Sequence, residues 1–418
     1  SQLKAQQQYY SEEYLDKSTR FAWLTLGVDF LMLSGGQSGI YESNLLDEFN
    51  FGNTVVPRLT IGGIHFWGYA DFYVTFPLPF LAYQSIPGTL EDIEYTQGIE
   101  TGLKLYPLRL KPGRLSPFAG ISMRSLDFHQ TPSGAEFNEG PPRYEKFIAP
   151  LEVGLTYSME KFLISGSVYH QFFTGFNYHQ QNDVQIPVNL NPLSFNLEML
   201  YYIDIDRGAR TANGISQLNL KHEVLIRENK ISAWYVGVGP SSAIQISRSS
   251  FLENNYTFLA DDRFSGFMPD ITFGRYFHDP DLNVGFSYRR LSDNISGVNT
   301  SIDLLRNSFM FESYKFLFNW LGFVPFVGIT ASLEDLQMEV DNGETFEDIK
   351  PALGLIFGWD IRVTQTGTSL LRTNLRWIPN LHLDAGGESM MFDHLEFNFI
   401  QFVHFIGRSK AYQKYSSD

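Results

Sequence analysis

Residues 147–172 read FIAPLEVGLTYSMEKFLISGSVYHQF. The odd positions from Phe147 to Tyr157 are apolar and the even positions are mostly small or polar, and the alternation resumes after the tetrad at residues 158–161. A side-chain period of two is typical of β-strands, so the stretch predicts a hairpin of two strands with about eleven residues each. Strands in soluble sheets usually contain about five or six residues, whereas a tilted strand that crosses a bilayer needs about nine to eleven. We therefore interpret the hairpin as part of a transmembrane β-barrel.

The amino-acid composition argues against several other kinds of structure and partner. Apolar residues make up 43% of the 418 residues, but no apolar run approaches the roughly eighteen residues of a membrane helix, so a membrane crossing must use strands. Aromatic residues reach 16%, which suits the aromatic girdles of a barrel. The chain has no cysteine, which excludes disulfides and thiolate metal sites. A net charge of −15 argues against nucleic acid as a partner.

The same alternation recurs along most of the chain and predicts a series of strands. The first lies at residues 21–33, and a long segment at residues 57–78 splits into two strands near Trp67 and Gly68. The other strand-like segments lie at residues 93–106, 115–128, 147–158, 162–172, 192–205, 216–226, 231–239, 268–277, 282–290, 308–319, 323–333, 350–363, 369–378 and 395–406.

The lengths of the connections test this interpretation, because outer-membrane barrels place short turns on the periplasmic side and long loops outside. Short turns are predicted near residues 111, 159, 228, 279, 321 and 366, with longer connections between them. The alternation holds only if residues 192–205 belong to an extracellular excursion and residues 57–78 supply two strands. The pattern then predicts one antiparallel up-and-down β-barrel of about sixteen strands, or about fourteen without the hairpin at 57–78, because either even number allows closure.

This topology divides the chain into three parts and places both termini in the periplasm. Residues 1–20 are a polar periplasmic lead-in, and residues 21–406 form the barrel, with its largest extracellular loop at about residues 173–215. Residues 407–418 are a polar tail that either hangs free in the periplasm, as polar termini commonly do, or docks on a partner.

A resemblance to known proteins is carried by about twenty residues. Residues 101–107 read Thr-Gly-Leu-Lys-Leu-Tyr-Pro, residues 111–114 read Lys-Pro-Gly-Arg, and residues 116–122 read Ser-Pro-Phe-Ala-Gly-Ile-Ser. This strand, turn and strand resembles outer-membrane barrel proteins of the Bacteroidota type. The resemblance implies a barrel in the outer membrane and implies no specific activity, because that grouping is functionally mixed.

The inward faces of the predicted strands carry charges of both signs, which either line a hydrated pore or pair with one another inside a plugged barrel, since an unpaired charge away from water is costly. About sixteen strands leave room for an aqueous channel. Large apolar side chains at inward positions, such as Trp23, Leu31, Phe118 and Leu126, narrow the lumen. The predicted lumen-lining residues are Asp29, Glu100, Lys104, Arg124, Glu152, Arg289, Asp360, Arg362, Arg372 and Arg376.

The sequence offers few candidates for catalysis or metal binding, so we expect no enzymatic activity and no cofactor. Ser38 lies in Gly-Gln-Ser-Gly-Ile, which lacks the closing glycine of a nucleophile elbow. His65 and Asp71 would contact each other only across a hairpin at residues 57–78, and a histidine with a purely structural role is the more frequent case. The acidic residues at 334–348 lack the ordered spacing of a calcium loop.

The leading hypothesis from the sequence is a structural or accessory subunit of a larger outer-membrane assembly, with the long loops and the tail as contact surfaces. Its expected partners are outer-membrane lipid, lipopolysaccharide, and other outer-membrane or surface proteins. The alternative is a porin-like channel or transporter for small solutes or apolar ligands. A third hypothesis, a lipid hydrolase, would require His65, Asp71 and a hydroxyl group to converge.

Overall fold

The computed structural model describes residues 23–42, 45–88, 90–181, 184–204, 212–261, 265–319, 323–341, 343–362 and 367–416. The predicted lead-in at residues 1–20 lies outside this part of the chain. The fold is antiparallel and almost entirely β. The strands of the first half are β1 (Trp23–Leu33), β2 (Gly36–Glu42), β3 (Leu45–Phe51), β4 (Thr54–His65), β5 (Ala70–Pro77), β6 (Tyr83–Gln84), β7 (Leu90–Leu105), β8 (Arg114–Pro132), β9 (Tyr144–Ile148), β10 (Leu151–Ser158), β11 (Phe162–His170), β12 (Gly175–Gln181), β13 (Val184–Leu190) and β14 (Leu193–Asp204).

Eight of these strands close into a first barrel, which we call the N-barrel. Each barrel strand pairs with the next barrel strand along the chain, in the order β1, β4, β5, β7, β8, β10, β11 and β14. The ring closes because β14 returns to β1, with Trp23 opposite Asp204 and Leu33 opposite Ser194. Strands β12, β13, β2 and β3 form a separate four-stranded sheet at one mouth of the N-barrel.

The second half of the chain repeats this architecture as a C-barrel. Strands β15 to β21 and β24 pair in chain order, and β24 closes the ring by pairing with β15. Strands β22 and β23 form a small hairpin of their own. The strands are β15 (Ala233–Gln245), β16 (Ser265–Phe277), β17 (Leu282–Gly297), β18 (Thr300–Phe316), β19 (Phe323–Val340), β20 (Thr345–Ile361), β21 (Ser369–Ile378), β22 (His382–Ala385), β23 (Glu388–Met391) and β24 (His394–Phe405).

In the part of the chain that the structure describes, three α-helices accompany the barrels: α1 (Ala212–Arg227), α2 (Ser250–Asn255) and α3 (Arg408–Ser416). Single 3₁₀ turns occur at Phe66–Gly68, Pro79–Leu81 and Thr257–Leu259. Helix α1 connects the two barrels, and its buried Val224 and Leu225 pack against Ala411 of α3. Within the described residues, none of the helices has the length and apolar character that a membrane crossing requires.

The connections have a consistent polarity. Because neighbouring strands run in opposite directions, the short turns at residues 66–69, 106–113, 159–161 and 278–281 lie at one end of the barrels, together with α1 and α3. We call this the short-turn end and the opposite one the long-loop end. The predicted short turns near residues 111, 159 and 279 are present, whereas those near 321 and 366 lie outside the described residues. The predicted split at Trp67 and Gly68 is also correct, because β4 and β5 flank the turn there.

The two barrels lie side by side along what we call the seam, where the outward faces of β4 and β5 meet the C-barrel. At the short-turn end the rings of Phe66 and Phe323 have centroids 5.1 Å apart. Midway, Phe72 and Trp359 are also 5.1 Å apart. Toward the long-loop end, Phe76 lies 5.9 Å from Phe399. Aromatic packing of this kind stabilises the contact beyond the area it buries.

The sequence predicted that the strands of residues 21–406 close into one barrel of about sixteen strands, and this prediction is wrong. Two barrels of eight strands form instead, because both hydrogen-bonding edges of β1 are already filled by β4 and β14. The predicted excursion at residues 173–215 is therefore also wrong, since the segment at 192–205 contains β14, the strand that closes the N-barrel. Inward and outward side chains alternate in the same way in one large barrel and in two small barrels, so the pattern did not distinguish these two architectures.

Two other predictions concern the short-turn end. The predicted strand at residues 216–226 is wrong, because this segment is part of helix α1. Its buried pair Val224 and Leu225 is flanked by exposed Ile226, which is a helical arrangement and not an alternating one. The tail at residues 407–418 was expected to hang free or to bind a partner, and its residues 408–416 form α3 on the chain's own α1.

Candidate functional site

The structure places all ten predicted lumen residues inside the barrels, each with at most 8% of its surface exposed. They form two separate groups and not one lumen, because the two barrels close independently. The N-barrel contains Asp29, Glu100, Lys104, Arg124 and Glu152, and the C-barrel contains Arg289, Asp360, Arg362, Arg372 and Arg376.

Arg58 is the centre of the network in the N-barrel. Its guanidinium makes a two-pronged ion pair with Asp29, in which Nη2 lies 3.0 Å from Oδ2, and its Nη1 donates to Glu100 at 2.7 Å. Arg124 donates to the same Glu100 carboxylate at 3.2 Å, and the Tyr73 hydroxyl donates to it at 3.0 Å. Two guanidinium groups therefore share one carboxylate, and their charges are compensated away from water.

A second part of this network lies closer to the short-turn end. Lys104 Nζ is 2.7 Å from a carboxylate oxygen of Glu198. Glu152 accepts a hydrogen bond from Ser167 at 2.6 Å, and the Tyr73 hydroxyl oxygen, whose single proton is donated to Glu100, lies 3.2 Å from Glu152 Oε2. Tyr73 therefore joins the two parts of the network across the interior of the barrel.

The C-barrel has an equivalent centre at Arg376. Its three guanidinium nitrogens each reach a different carboxylate, with distances of 2.9 Å to Asp270, 2.8 Å to Glu312 and 2.8 Å to Glu396. Arg289 Nε also lies 2.9 Å from Glu396. A guanidinium group suits this position, because its fixed fork of donors can serve several carboxylates at once.

Two further arginines contact Asp360 in the C-barrel. Arg372 Nε lies 2.6 Å and Arg362 Nη2 lies 3.1 Å from this carboxylate. Arg306 extends the network toward the long-loop end, with Nη2 3.3 Å from Glu396. The interior of each barrel therefore contains buried ion pairs that extend across it.

Several members of these networks were missed from the sequence. Arg58 lies in the segment 57–78, for which no inward face was assigned, and Glu198 lies in a segment attributed to a loop. The alternation would have found Asp270 and Glu396, because both lie at every-second-residue positions that face inward on β16 and β24. The other missed residues are Tyr73, Arg306, Glu312, Glu334 and His394.

Apolar clusters fill each barrel on both sides of its ion pairs. An eight-stranded barrel has an interior just wide enough for side chains, and the described side chains occupy it from end to end. At the short-turn end the clusters are Trp23, Ile64, Tyr106, Leu110, Phe118, Leu163, Leu200 and Tyr202 in the N-barrel, and Ala233, Tyr235, Tyr276, Tyr314, Phe316, Val324, Phe326, Ile356, Leu370, Val403 and Phe405 in the C-barrel.

The long-loop ends are closed by the added elements. In the N-barrel, Leu31 and Leu126 pack with Ile40, Tyr178 and Val188 of the four-stranded sheet. The Tyr178 hydroxyl donates to the carbonyl of Pro142 at 2.7 Å, which ties this sheet to the long-loop end. In the C-barrel the cap includes Phe251, Leu252, Phe258, Leu259, Leu383 and Met390 from α2, the 3₁₀ turn and the β22–β23 hairpin.

The outer surface of the barrels carries an apolar belt, and on β17, β18 and β19 its boundary toward the long-loop end lies between two registered rows. Tyr288, Phe309 and Leu333 lie side by side on β17, β18 and β19 and all point outward. The next outward row toward the long-loop end is polar, and its Asn307 Nδ2 donates to Asp335 at 3.0 Å. A change from an apolar row to a polar row across several neighbouring strands is the pattern expected at a membrane surface.

The structure does not bring together the residues considered for catalysis. His65 faces outward into the seam, whereas Asp71 faces into the N-barrel, so the barrel wall separates them. Ser38 donates to Gln130 at 2.7 Å within the cap. No group of three or more histidine, aspartate or glutamate side chains among the described residues is arranged to hold a metal ion.

No protein-family model and no curated protein matches this chain. Among solved structures, the Neisserial surface protein A is 17% identical, with 41% of this chain and 96% of that protein covered and a TM-score of 0.30. OprG, an outer membrane protein from Pseudomonas aeruginosa, is 12% identical, with 45% and 98% covered and a TM-score of 0.33. An outer membrane channel from Pseudomonas putida F1 is 8% identical, with 94% and 98% covered and a TM-score of 0.23. These neighbours are outer-membrane β-barrel proteins of Gram-negative bacteria, and nothing in the comparisons is specific to Bacteroidota.

Proposed function

We propose that this chain is an outer-membrane protein built from two filled β-barrels, and that it acts as a structural or accessory subunit of a larger outer-membrane assembly without enzymatic activity. The observation that carries the proposal is the contrast between the two faces of the barrel walls. The outer face is an apolar belt, and the inner face holds paired charges between apolar plugs.

The size of the belt supports a membrane location. On β19 the outward residues from Phe323 to Leu333 are mainly apolar, and Ile329 between them is 63% exposed. At about 3.3 Å per residue this stretch is about 33 Å long, and a strand tilt of about 40° reduces its height to about 25 Å, which is the height of an outer-membrane belt. A water-soluble protein rarely exposes so continuous an apolar surface.

Because both barrel interiors are filled, we propose that partner proteins bind at the two ends of the molecule. At the long-loop end, β3 is an edge strand of the four-stranded sheet, and its Leu45 is 74% exposed. Edge strands present backbone donors and acceptors on which a partner strand can pair. At the short-turn end, α1 and α3 form a second surface, which the proposed orientation places in the periplasm.

Conductance in planar bilayers tests this function against a porin-like channel or transporter. We expect the purified protein to carry no steady current, because a solute path would have to disrupt the ion pairs of Arg58 and Arg376. Steady single-channel currents would reject the filled-barrel subunit and support the channel. A phospholipid hydrolysis assay of the wild type and His65→Ala tests the absence of enzymatic activity, and turnover that depends on His65 would contradict it.

Co-purification after mild detergent extraction tests the role as a subunit. Replacing residues 36–51 with a short Gly-Ser turn removes β2 and β3 and leaves the N-barrel strands intact. We expect this variant to fold and insert but to lose stoichiometric partner proteins. A matched control shortens the C-barrel turn at residues 341–344 and should keep them. A wild type that purifies alone and monomeric from its native membrane would reject the proposal.

A further inference from the structure

The seam between the barrels contains a cavity that belongs to neither interior. Its walls come from the outward faces of both barrels, so in a membrane the cavity is in contact with hydrocarbon and not with water. Phe72 and Trp359 both line it, and their ring centroids are 5.1 Å apart. The other apolar side chains that line it include Leu24, Ile61, Val74, Ile361, Leu371 and Phe399.

His65 is an unexpected residue in this apolar cavity. It is the last residue of β4, its side chain is only 6% exposed, and its ring lies 5.2 Å from that of Phe72. Its Nδ1 has no hydrogen-bond partner among the described residues. A buried polar atom without a partner is costly, and this imbalance points to a ligand that supplies the missing hydrogen bond.

Gly63 shapes the space around this histidine. A Cβ atom at Gly63 would come within 2.8 Å of Nε2 of His65. The glycine therefore allows the imidazole to lie against the backbone of β4. Because the short turn at Phe66–Gly68 follows directly, His65 lies where the apolar belt ends at the short-turn end.

We propose that the seam holds the first few methylene groups of one acyl chain of a membrane phospholipid, with an ester or phosphate oxygen of that lipid hydrogen-bonded to His65. The position of His65 at the rim of the belt matches the polar region of a lipid, and the aromatic wall toward Phe399 matches its hydrocarbon. The lipid comes from the leaflet at the short-turn end. This inference rests on the proposed membrane location and not on the proposed role as a subunit.

The test uses the full chain reconstituted with dioleoyl phosphatidylglycerol vesicles and then extracted in mild detergent for native mass spectrometry. We expect one retained lipid per chain. His65→Phe keeps a ring but removes the hydrogen bond, and should lower retention about fivefold to tenfold. Leu371→Trp fills the cavity and should abolish retention. The matched controls are His170→Phe, an exposed histidine on β11, and Leu197→Trp, an outward residue on β14 away from the seam, and both should behave as the wild type.

A heat-shift gel of each variant shows whether the barrels remain folded, which separates failure of this site from failure of the membrane fold. Retention by Leu371→Trp at the wild-type level, or no retained lipid in the wild type, would overturn the proposal. A second reconstitution adds dodecanol beside the phospholipid. Retention of dodecanol but not of the phospholipid would also overturn the proposal, because the cavity would then hold a small diffusible amphiphile.

Discussion

Asp29 and Arg58 lie directly opposite each other on β1 and β4, and their side chains form a two-pronged ion pair inside the N-barrel. Both groups are almost fully buried. The pair therefore stabilises the register of β1, the strand at which the first ring closes. A one-residue slip of β1 would turn Asp29 to the lipid side of the wall and leave Arg58 inside without this partner.

We expect Arg58→Met to destabilise the protein by about 3–5 kcal/mol, because it leaves buried carboxylates without their partner. The measurement is urea unfolding in phospholipid vesicles. Arg290→Met changes an exposed arginine on the long-loop side of the belt. It should lower the free energy of unfolding by less than about 1 kcal/mol. The double variant Asp29→Leu with Arg58→Leu should recover part of the loss, since apolar replacements of a buried pair are often tolerated. Equal costs for Arg58→Met and Arg290→Met would show that the buried pair does not stabilise the barrel.

The belt predicts a dependence on depth for introduced charges. Ile329→Arg places a cation near the middle of the belt on β19, and we expect a loss of about 2–4 kcal/mol in the free energy of folding into vesicles. Gln337→Arg on the same strand lies beyond the polar row, toward the long-loop end. We expect a loss of about 0–1 kcal/mol in the free energy of folding there. Similar losses at the two positions would argue that this face of β19 does not contact lipid.

The proposed orientation can be tested by labelling, since the chain has no cysteine of its own. Asp384→Cys adds an exposed thiol at the long-loop end, and Lys410→Cys adds one on α3 at the short-turn end. In intact cells a membrane-impermeant maleimide should label Asp384→Cys at least tenfold faster. After the outer membrane is permeabilised, Lys410→Cys should react as well. The reverse order in intact cells would invert the proposed topology.

The short-turn end should lose stability as the pH falls. Burial and the nearby His278 lower the pKa of His222 below its ordinary value of 6.5, and burial also lowers the pKa of His278. Glu223 and Asp281 partly oppose these effects, and Arg408 adds to them.

A lowered histidine pKa means that the unfolded segment binds protons at a higher pH than the folded one. The stability is therefore complete above about pH 6.5 and decreases below it, until the pH passes the folded pKa values. We expect hydrogen exchange in α1, corrected for the intrinsic rate, to be about three- to tenfold faster at pH 5.5 than at pH 7.5. His222→Gln with His278→Gln should remove most of this difference, and an unchanged pH dependence would exclude these histidines as its cause.

Residues within strands were largely predictable, because each side chain responds to the medium on its own side of the wall. Glu100, Arg124 and Arg376 were predicted to face inward, and the structure places them there. Their partners were harder to predict. Arg58 meets Glu100 across 42 residues of sequence and Arg376 meets Glu312 across 64, and no local pattern specifies which inward charges share a level of the barrel.

Helix α1 was mistaken for a strand for a related reason. Its segment has to connect two closed rings at the short-turn end, and its apolar Val224 and Leu225 gain their burial from α3, almost 190 residues later in the chain. The caps behave similarly, since Ile40 and Tyr178 are buried only because the N-barrel mouth lies beneath them. These elements depend on long-range packing, which a short sequence window does not contain.

The amino-acid sequence by itself determined that the chain forms strands of membrane-crossing length and which of their side chains point to the interior. Only the tertiary structure decided that the strands close as two rings of eight and not as one larger ring. The physical reason is that the edges of β1 present the same backbone donors and acceptors to any partner strand. That β1 pairs with β14 and not with β24 depends on the complete set of buried contacts inside each ring. The alternation of side chains along a strand cannot predict this pairing.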